Sequence, residues 1–344
     1  MTLHESSNTS ADKNMSLLLM TVKSGDVSTP VSYLKYPVDT AIYIMTVPTP
    51  PILITVGLIG NFLSFRLMSL KKYEKSTTCF YMRYMAVTDS LYIYGRIFLR
   101  YIRLMAPHLF VSDAVKRPFC LYYFATGLMS YAMSPWILVA LAFDRFLALT
   151  WPLKAAIFCT MRRARRTTIC VFIFGFCYGL VQLLRTRQEK YKFWLCPYYF
   201  KEPADEIHAI TEGILMSICP ILTLCVFNIG IIIAVHRSKQ NEALKKSSGA
   251  ETSKESSITL AAVSVTTAFI IFQLPDTIND FFWANWKGIV TSDVAQWQRL
   301  TLNIDVLCES MNYCLNSYLY VLSCKRLRKE MLGIILSCNR KLNR

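Results

Sequence analysis

A chain of 344 residues that is 53% hydrophobic and only 17% charged, with a formal net charge of +16 and a mean hydropathy of +0.34, has too little charge to cover a soluble fold of its size. Twelve glycines and thirteen prolines exclude collagen-like and low-complexity chains, and 13% aromatic residues exclude a disordered one. The composition implies that lipid is the solvent for much of the protein.

Residues up to about Tyr36 are polar and carry two glycosylation acceptor triplets, Asn8-Thr9-Ser10 and Asn14-Met15-Ser16. The stretch 15–20 is too short and poorly flanked for a cleaved signal peptide, so the first apolar run is expected to serve as its own insertion signal. A helix needs about 20 apolar residues to cross roughly 30 Å of hydrocarbon. Charge-free runs cover residues 40–65, 118–143, 167–184, 213–235 and 256–275, with no alternation that would suggest a barrel. Two further spans carry ionisable residues: 77–103, with Asp89, Arg96 and Arg100, and 300–324, with Asp305 and Glu309. The expected fold class is therefore all-α integral membrane, a bundle of seven transmembrane helices.

Beyond the seventh span, residues 325–336 read as an amphipathic cytoplasmic helix, with Leu327, Met331, Ile334 and Ile335 on one face and basic residues on the other. Cys338 follows at the membrane surface, where it is either a palmitoylation site or an unmodified thiol. The expected organisation is an N-terminal tail over 1–38, the seven-helix domain over 39–324, the cytoplasmic helix over 325–337 and a short tail over 338–344.

Orientation follows from lysine and arginine, which accumulate in short cytoplasmic loops. Lys71, Lys72 and Lys75 follow span one; Lys154, Arg162, Arg163, Arg165 and Arg166 precede span four; Arg237, Lys239, Lys245, Lys246 and Lys254 precede span six. Seven more lie beyond span seven, so just over half of the 38 basic residues fall on one side, against only Glu74, Glu242, Glu251, Glu255 and Glu330. This excess accounts for nearly all of the net charge. The basic character thus reads as topology, with membrane lipids as partners and no nucleic acid. An odd number of passes with the C-terminus inside places the N-terminus outside, as expected of a plasma-membrane protein. Of the twelve cysteines, only Cys120 and Cys196 then face the oxidising exterior, which allows a bridge between them.

The stretch Asp144-Arg145-Phe146, followed by Pro152-Leu153, resembles the Asp-Arg-Tyr signature of rhodopsin-like (class A) G-protein-coupled receptors, with Phe146 for the usual tyrosine. Further landmarks come in order: Asn61 in span one, Asp89 in span two, Pro220 in span five, Phe269 and Pro275 in span six, and Asn316-Ser317-Tyr318-Leu319-Tyr320 for the seventh-helix Asn-Pro-x-x-Tyr motif. The resemblance covers roughly residues 41–338. Its departures mark a divergent member: Gln273 replaces the sixth-helix tryptophan, Ser317 the seventh-helix proline, Phe172 a fourth-helix tryptophan and Asn228 a fifth-helix tyrosine.

The resemblance implies a receptor that binds an extracellular ligand and activates heterotrimeric G proteins by outward movement of span six. In that scheme Asp144, Arg145, Phe146, Glu255, Asn316 and Tyr320 form the coupling switch, and Arg145 is restrained by Asp144 and Glu255 until activation. Glu255 alternatively balances Lys254 on a solvated helix start. The resemblance also implies a polar core of Asn61, Asp89, Ser134, Asn312 and Asn316, in which Asp89 either binds sodium or is protonated; sodium is the one cofactor envisaged. Arrestin recruitment would use Ser247, Ser248, Thr252 and Ser253 of the third cytoplasmic loop.

For the ligand side, Arg96, Arg100 and Arg103 fall at i, i+4 and i+7, which on a regular helix is one stripe roughly 60° wide shared with Asp89. Facing them are Glu212, Asp276, Asp280, Asp305 and Glu309, with Gln273, Tyr123 and Tyr131 as lining. Arg96 is expected either to pair with an acid such as Glu309 or to bind an anionic ligand group. Arg100 is expected to contact ligand or, like Arg103, to snorkel to headgroups. Gly127 stands where amine receptors of the family carry an aspartate, and Cys308 and Glu309 where a retinal lysine would stand, so the pocket is closest in character to peptide or neuropeptide receptors. A non-signalling scavenger or scaffold receptor of the same fold is the alternative, with a transporter behind it. An enzyme is not expected, because His4, His108, His208 and His236 are dispersed and form no nucleophile–base or metal constellation.

Overall fold

The computed structural model describes residues 37–110, 112–185, 210–244, 252–285 and 291–342, although several side chains within these helices, including those of Cys120, Glu255 and Cys338, are not described. The sequons at Asn8 and Asn14, Cys196 and the loop residues 186–209 lie outside the described residues, so the expected disulfide and glycosylation do too. Among the described residues every regular element is helical.

Five of the described helices are long and apolar enough to cross a membrane: Pro37–Met68, Ala125–Thr150, Met161–Val181, Ile210–Arg237 and Ile258–Phe282. These correspond to the charge-free runs. The two charged spans complete a bundle of seven: the second runs through Thr77–Tyr92, Ile93–Phe98 and Leu99–Met105, and the seventh is Ser292–Ser323. Packing closes a ring, one on two, two on three, five on six, six on seven and seven on one, while the third span touches the second, fourth, fifth and sixth and so forms the axis.

The chain is inside-out relative to a soluble fold. Phe62, Ile173, Leu222, Val226 and Ile271 point outward and are more than half exposed, while Asn61, Asp89, Ser134, Asn312, Asn316 and Ser317 are at most 3% exposed. In hydrocarbon the only place for a polar side chain is the bundle interior, where it finds a partner.

Local irregularities have identifiable causes. The first span is broken between Pro37–Thr46 and Thr49–Met68, where Pro48 precedes the second helix and further prolines occupy its first turn. Three six-residue π-turns interrupt the second, third and fifth spans, at Ile93–Phe98, Tyr123–Leu128 and Gly213–Ile218. Two of them meet backbone to backbone. A Cβ on Gly95 would sit 2.4 Å from the Gly127 nitrogen and 2.2 Å from Thr126 Oγ1, so only glycine permits this approach. Neither the π-turns nor the short helix Pro152–Phe158 after the third span follows from apolar periodicity.

The helix after span seven is longer than expected, Lys325–Leu342. Leu327 and Met331 are buried, whereas Ile335, expected on the same face, is exposed. Glu330 pairs with Lys72, and the Arg326 guanidinium lies 5.6 Å from the centre of the Tyr73 ring, tying this helix to the loop after span one.

Candidate functional site

Three polar layers stack along the bundle. At the C-terminal end of span three, Arg145 Nη2 donates to Asp144 Oδ2 at 2.6 Å, and Nε reaches the same oxygen at 3.3 Å. Thr77, at the start of span two, donates to that oxygen at 2.8 Å. Asp144 is 5% exposed and the Arg145 side chain 13%, so this ion pair is largely withdrawn from water and its hydrogen bonds are of the stronger, charge-assisted kind. Phe146 stacks against Phe227 of span five at 5.4 Å and fills the space beside Gly230. Tyr320 is buried with no partner for its hydroxyl. The Glu255 side chain lies outside the described residues, so a second restraint on Arg145 is not visible.

The middle layer centres on Asp89, which is fully buried. Ser134 donates to its Oδ1 at 2.8 Å and Asn316 Nδ2 to its Oδ2 at 2.7 Å. Asn61 donates to the Tyr313 carbonyl at 3.2 Å and accepts from Ser317 Oγ at 3.2 Å. The serine in place of the family's proline therefore acts as a donor across spans seven and one, and span seven runs on as an unbroken helix. The Oδ1 atoms of Asn312 and Asn316 are buried without partners. Oxygen atoms of this type beside a carboxylate suit a small hard cation.

The outer layer joins spans two, three, five, six and seven. Arg96 Nη2 stands 3.9 Å from Glu309 Oε2, and its guanidinium lies 5.5 Å from the centre of the Tyr131 ring. Tyr92 and Tyr313 stack beneath at 3.6 Å. Gln273 Nε2 donates to Asp276 Oδ2 at 2.8 Å and to Ser217 Oγ at 3.3 Å, so the residue replacing the family's tryptophan is a buried polar link between spans six and five. Asn279 donates to Asp305 Oδ2, and Tyr178 of span four to Glu212 Oε1. Asp280 is exposed.

The single arginine stripe is not what forms. The π-turn at Ile93–Phe98 inserts its extra residue between Asp89 and Arg100, which rotates the outer part of span two relative to the inner part. Arg96 is partly buried, Arg100 is exposed, and Arg103 is partly buried beside Tyr123. The sequence points to none of Thr77, Tyr178 and Asn279, and Ser317 enters it only as a replaced proline. Single hydroxyls and amides in a span carry no periodic signal, and their partners are distant in sequence. Gly127 gains a second meaning: it is the contact with Gly95 as well as an absent aspartate.

In the loop between spans three and four, burial pushes the Cys159 thiol up to about 12, and the Asp144 charge adds to the effect. Cys159 Sγ donates to the Asp144 carbonyl at 3.5 Å.

The seven-helix bundle thus has the third span at its axis, a paired arginine at one mouth and a charged layer at the other. Residues 60–320 match the family described as 7 transmembrane receptor (rhodopsin family), a family of receptors and not of enzymes. The chain belongs to that rhodopsin family and is a multi-pass membrane receptor.

Proposed function

We propose that this receptor sits in the plasma membrane with its N-terminus outside, binds an extracellular peptide in its outer layer and activates a heterotrimeric G protein. The observation that carries the reading is the Thr77–Asp144–Arg145 triad, in which one buried carboxylate oxygen gathers three donors. A guanidinium held this way at the inner mouth is a closed switch. Each hydrogen bond to a charged group is worth about 1.5–3 kcal/mol, so opening needs a ligand whose affinity for the open state exceeds that for the closed state by a comparable amount. Glu255 on span six supplies a second restraint, and its release lets that span swing outward.

Sodium, if bound, would be held by Asp89, Ser134, Asn312 and Asn316, and would supply positive charge that stabilises the closed bundle. The two unpartnered amide oxygens support this assignment. Gln273 and Ser317 favour a second reading, a receptor that binds ligand without signalling. Reconstituted receptor, a peptide library and nucleotide exchange on purified G proteins separate the two. Peptide-dependent exchange that Arg145→Ala abolishes is expected; peptide binding without exchange on any G protein would establish the non-signalling reading.

A further inference from the structure

Spans three, five and seven end at the mouth that holds Arg145, and span six begins there, so the N-terminal half of span six is the part an outward swing has to carry. Two hydroxyl contacts fasten that half to its neighbours. Thr266 Oγ1 donates to Asn228 Oδ1 of span five at 2.8 Å, with both side chains buried, and Asn228 Nδ2 reaches on to Thr267 Oγ1 at 3.4 Å. On the other side Ser323, the last residue of span seven, donates to Ser264 Oγ at 2.6 Å. Asn228 adjoins Phe227, whose ring stacks on Phe146 beside Arg145, so the first contact stands close to the depth of the arginine.

Ser264 and Thr266 are two residues apart, which on a helix is a turn of about 200° and a rise of about 3 Å. The hydroxyls therefore leave span six on opposite flanks at nearly one height, one toward span five and one toward span seven. Ala261, Ala262 and Val265 are buried around them, small apolar groups whose packing has no preferred direction. Pro275 lies further along the continuous helix Thr252–Asn285; it deprives the helix of one hydrogen bond and gives it a place to bend. A bend there draws both contacts apart together.

Release strands neither hydroxyl of span six. Thr266 Oγ1 already lies 3.0 Å from the carbonyls of Ala262 and Val263, and Ser264 Oγ donates to the Leu260 carbonyl at 2.9 Å in any case. Ser323 is half-buried at the end of its span, and water entering the opened mouth can serve it and the Asn228 amide. A hydroxyl that points either to a neighbouring span or to its own helix is a two-state element.

We infer that Asn228, Ser264, Thr266 and Ser323 are positioning residues for activation: the pairs Thr266–Asn228 and Ser323–Ser264 clasp span six from both flanks and set how often the empty receptor opens. The inference rests on the receptor reading above and deepens it. Asn228, which departs from the family's tyrosine, is the acceptor that closes one of the clasps.

The test uses the full-length receptor in nanodiscs, with spin labels carried by encoded unnatural residues at Leu260 of span six and Ile169 of span four, both exposed. Distances between the labels are read without ligand or G protein, and basal nucleotide exchange is read alongside. An interhelical hydrogen bond in a membrane is worth about threefold in an equilibrium, so Thr266→Val and Ser264→Ala are each expected to raise the open population and basal exchange by about that factor. The double variant is expected to raise both about tenfold. Thr266→Ser, which keeps the hydroxyl, should stay at the wild-type level, and Asn228→Leu takes the place of Thr266→Val should that variant fail to fold. An open population unchanged in the double variant overturns the clasps, as does Thr266→Ser opening as far as Thr266→Val. A raised open population with no exchange on any G protein supports the clasps and removes the G-protein reading instead.

Discussion

The inner and outer halves of the bundle hold their arginines differently. At the inner mouth Arg145 meets Asp144 through two donors at 2.6 and 3.3 Å, and Thr77 donates to the same oxygen at 2.8 Å. In the outer half Arg96 stands 3.9 Å from Glu309, while the neutral side chains of Gln273 and Asn279 donate to Asp276 and Asp305. The inner ion pair is thus a close contact, whereas the outer one is looser. This division suits the proposed receptor: the half facing the ligand keeps the looser ion pair, and the half facing the transducer holds a closed contact that the ligand has to open.

The largest expected effect falls on the seam between the halves. Gly95→Val places a branched side chain where the Gly127 nitrogen and Thr126 Oγ1 already stand within 2.4 Å of a Cβ, and backbone cannot yield as a flexible side chain does. Folding is expected to lose about 3 kcal/mol or more, seen as near-complete loss of surface expression. Gly127→Ala, whose nearest contact is 3.2 Å, should express at a reduced level. Equal expression of wild type and Gly95→Val would show that the π-turns do not pack as described.

Next comes Asp89→Ala, which strands the Ser134 hydroxyl and the Asn316 amide without their acceptor. A loss of about 2–4 kcal/mol is expected, measured as a lower unfolding temperature in nanodiscs, and the variant's melting should no longer respond to replacing potassium with sodium. Thr77→Val is smaller and more telling. It removes one donor from the charged Asp144, at the low end about 1.5 kcal/mol, which corresponds to a roughly tenfold shift toward the open state. Raised basal nucleotide exchange is expected with ligand affinity little changed; unaltered basal exchange would remove Thr77 from the switch.

The fold was largely legible because lipid makes polarity a reliable guide: five apolar runs announced their spans, and Asp89, Arg145 and the basic loops supplied the register. Arg100 shows where that guide stops. Its expected alignment with Arg96 and Asp89 assumed a constant 100° per residue, and a single π-turn at Ile93–Phe98 breaks the assumption without leaving a compositional trace. Gln273 and Ser317 stand in the sequence only as departures of a divergent member, because a substitution is visible there while the hydrogen-bond partner that absorbs it is not. Ser217 and Asn61 are those partners, and they turn two apparent losses into two connections.

The smallest effect is the sharpest probe of the inner half, because it reads Asp144 without perturbing it. Cys159 is raised to about 12 from an ordinary 9.0, by burial first and by the Asp144 charge second. The neutral thiol is the favoured form, so whatever stability this contributes is complete below pH 9 and is lost as pH climbs toward 12. At pH 7.4 the thiolate fraction is about a thousandfold below that of an unshifted thiol, and greater intrinsic nucleophilicity recovers only part of this. In a variant keeping Cys159 as its one loop cysteine, reaction with an aromatic disulfide should be about fiftyfold slower than for a free cysteine. The rate should also keep rising past pH 9 instead of levelling there. An agonist that draws Asp144 and Arg145 apart re-solvates this corner, so the same reaction should accelerate on activation; a rate indifferent to agonist would mean that the triad stays closed while the receptor signals.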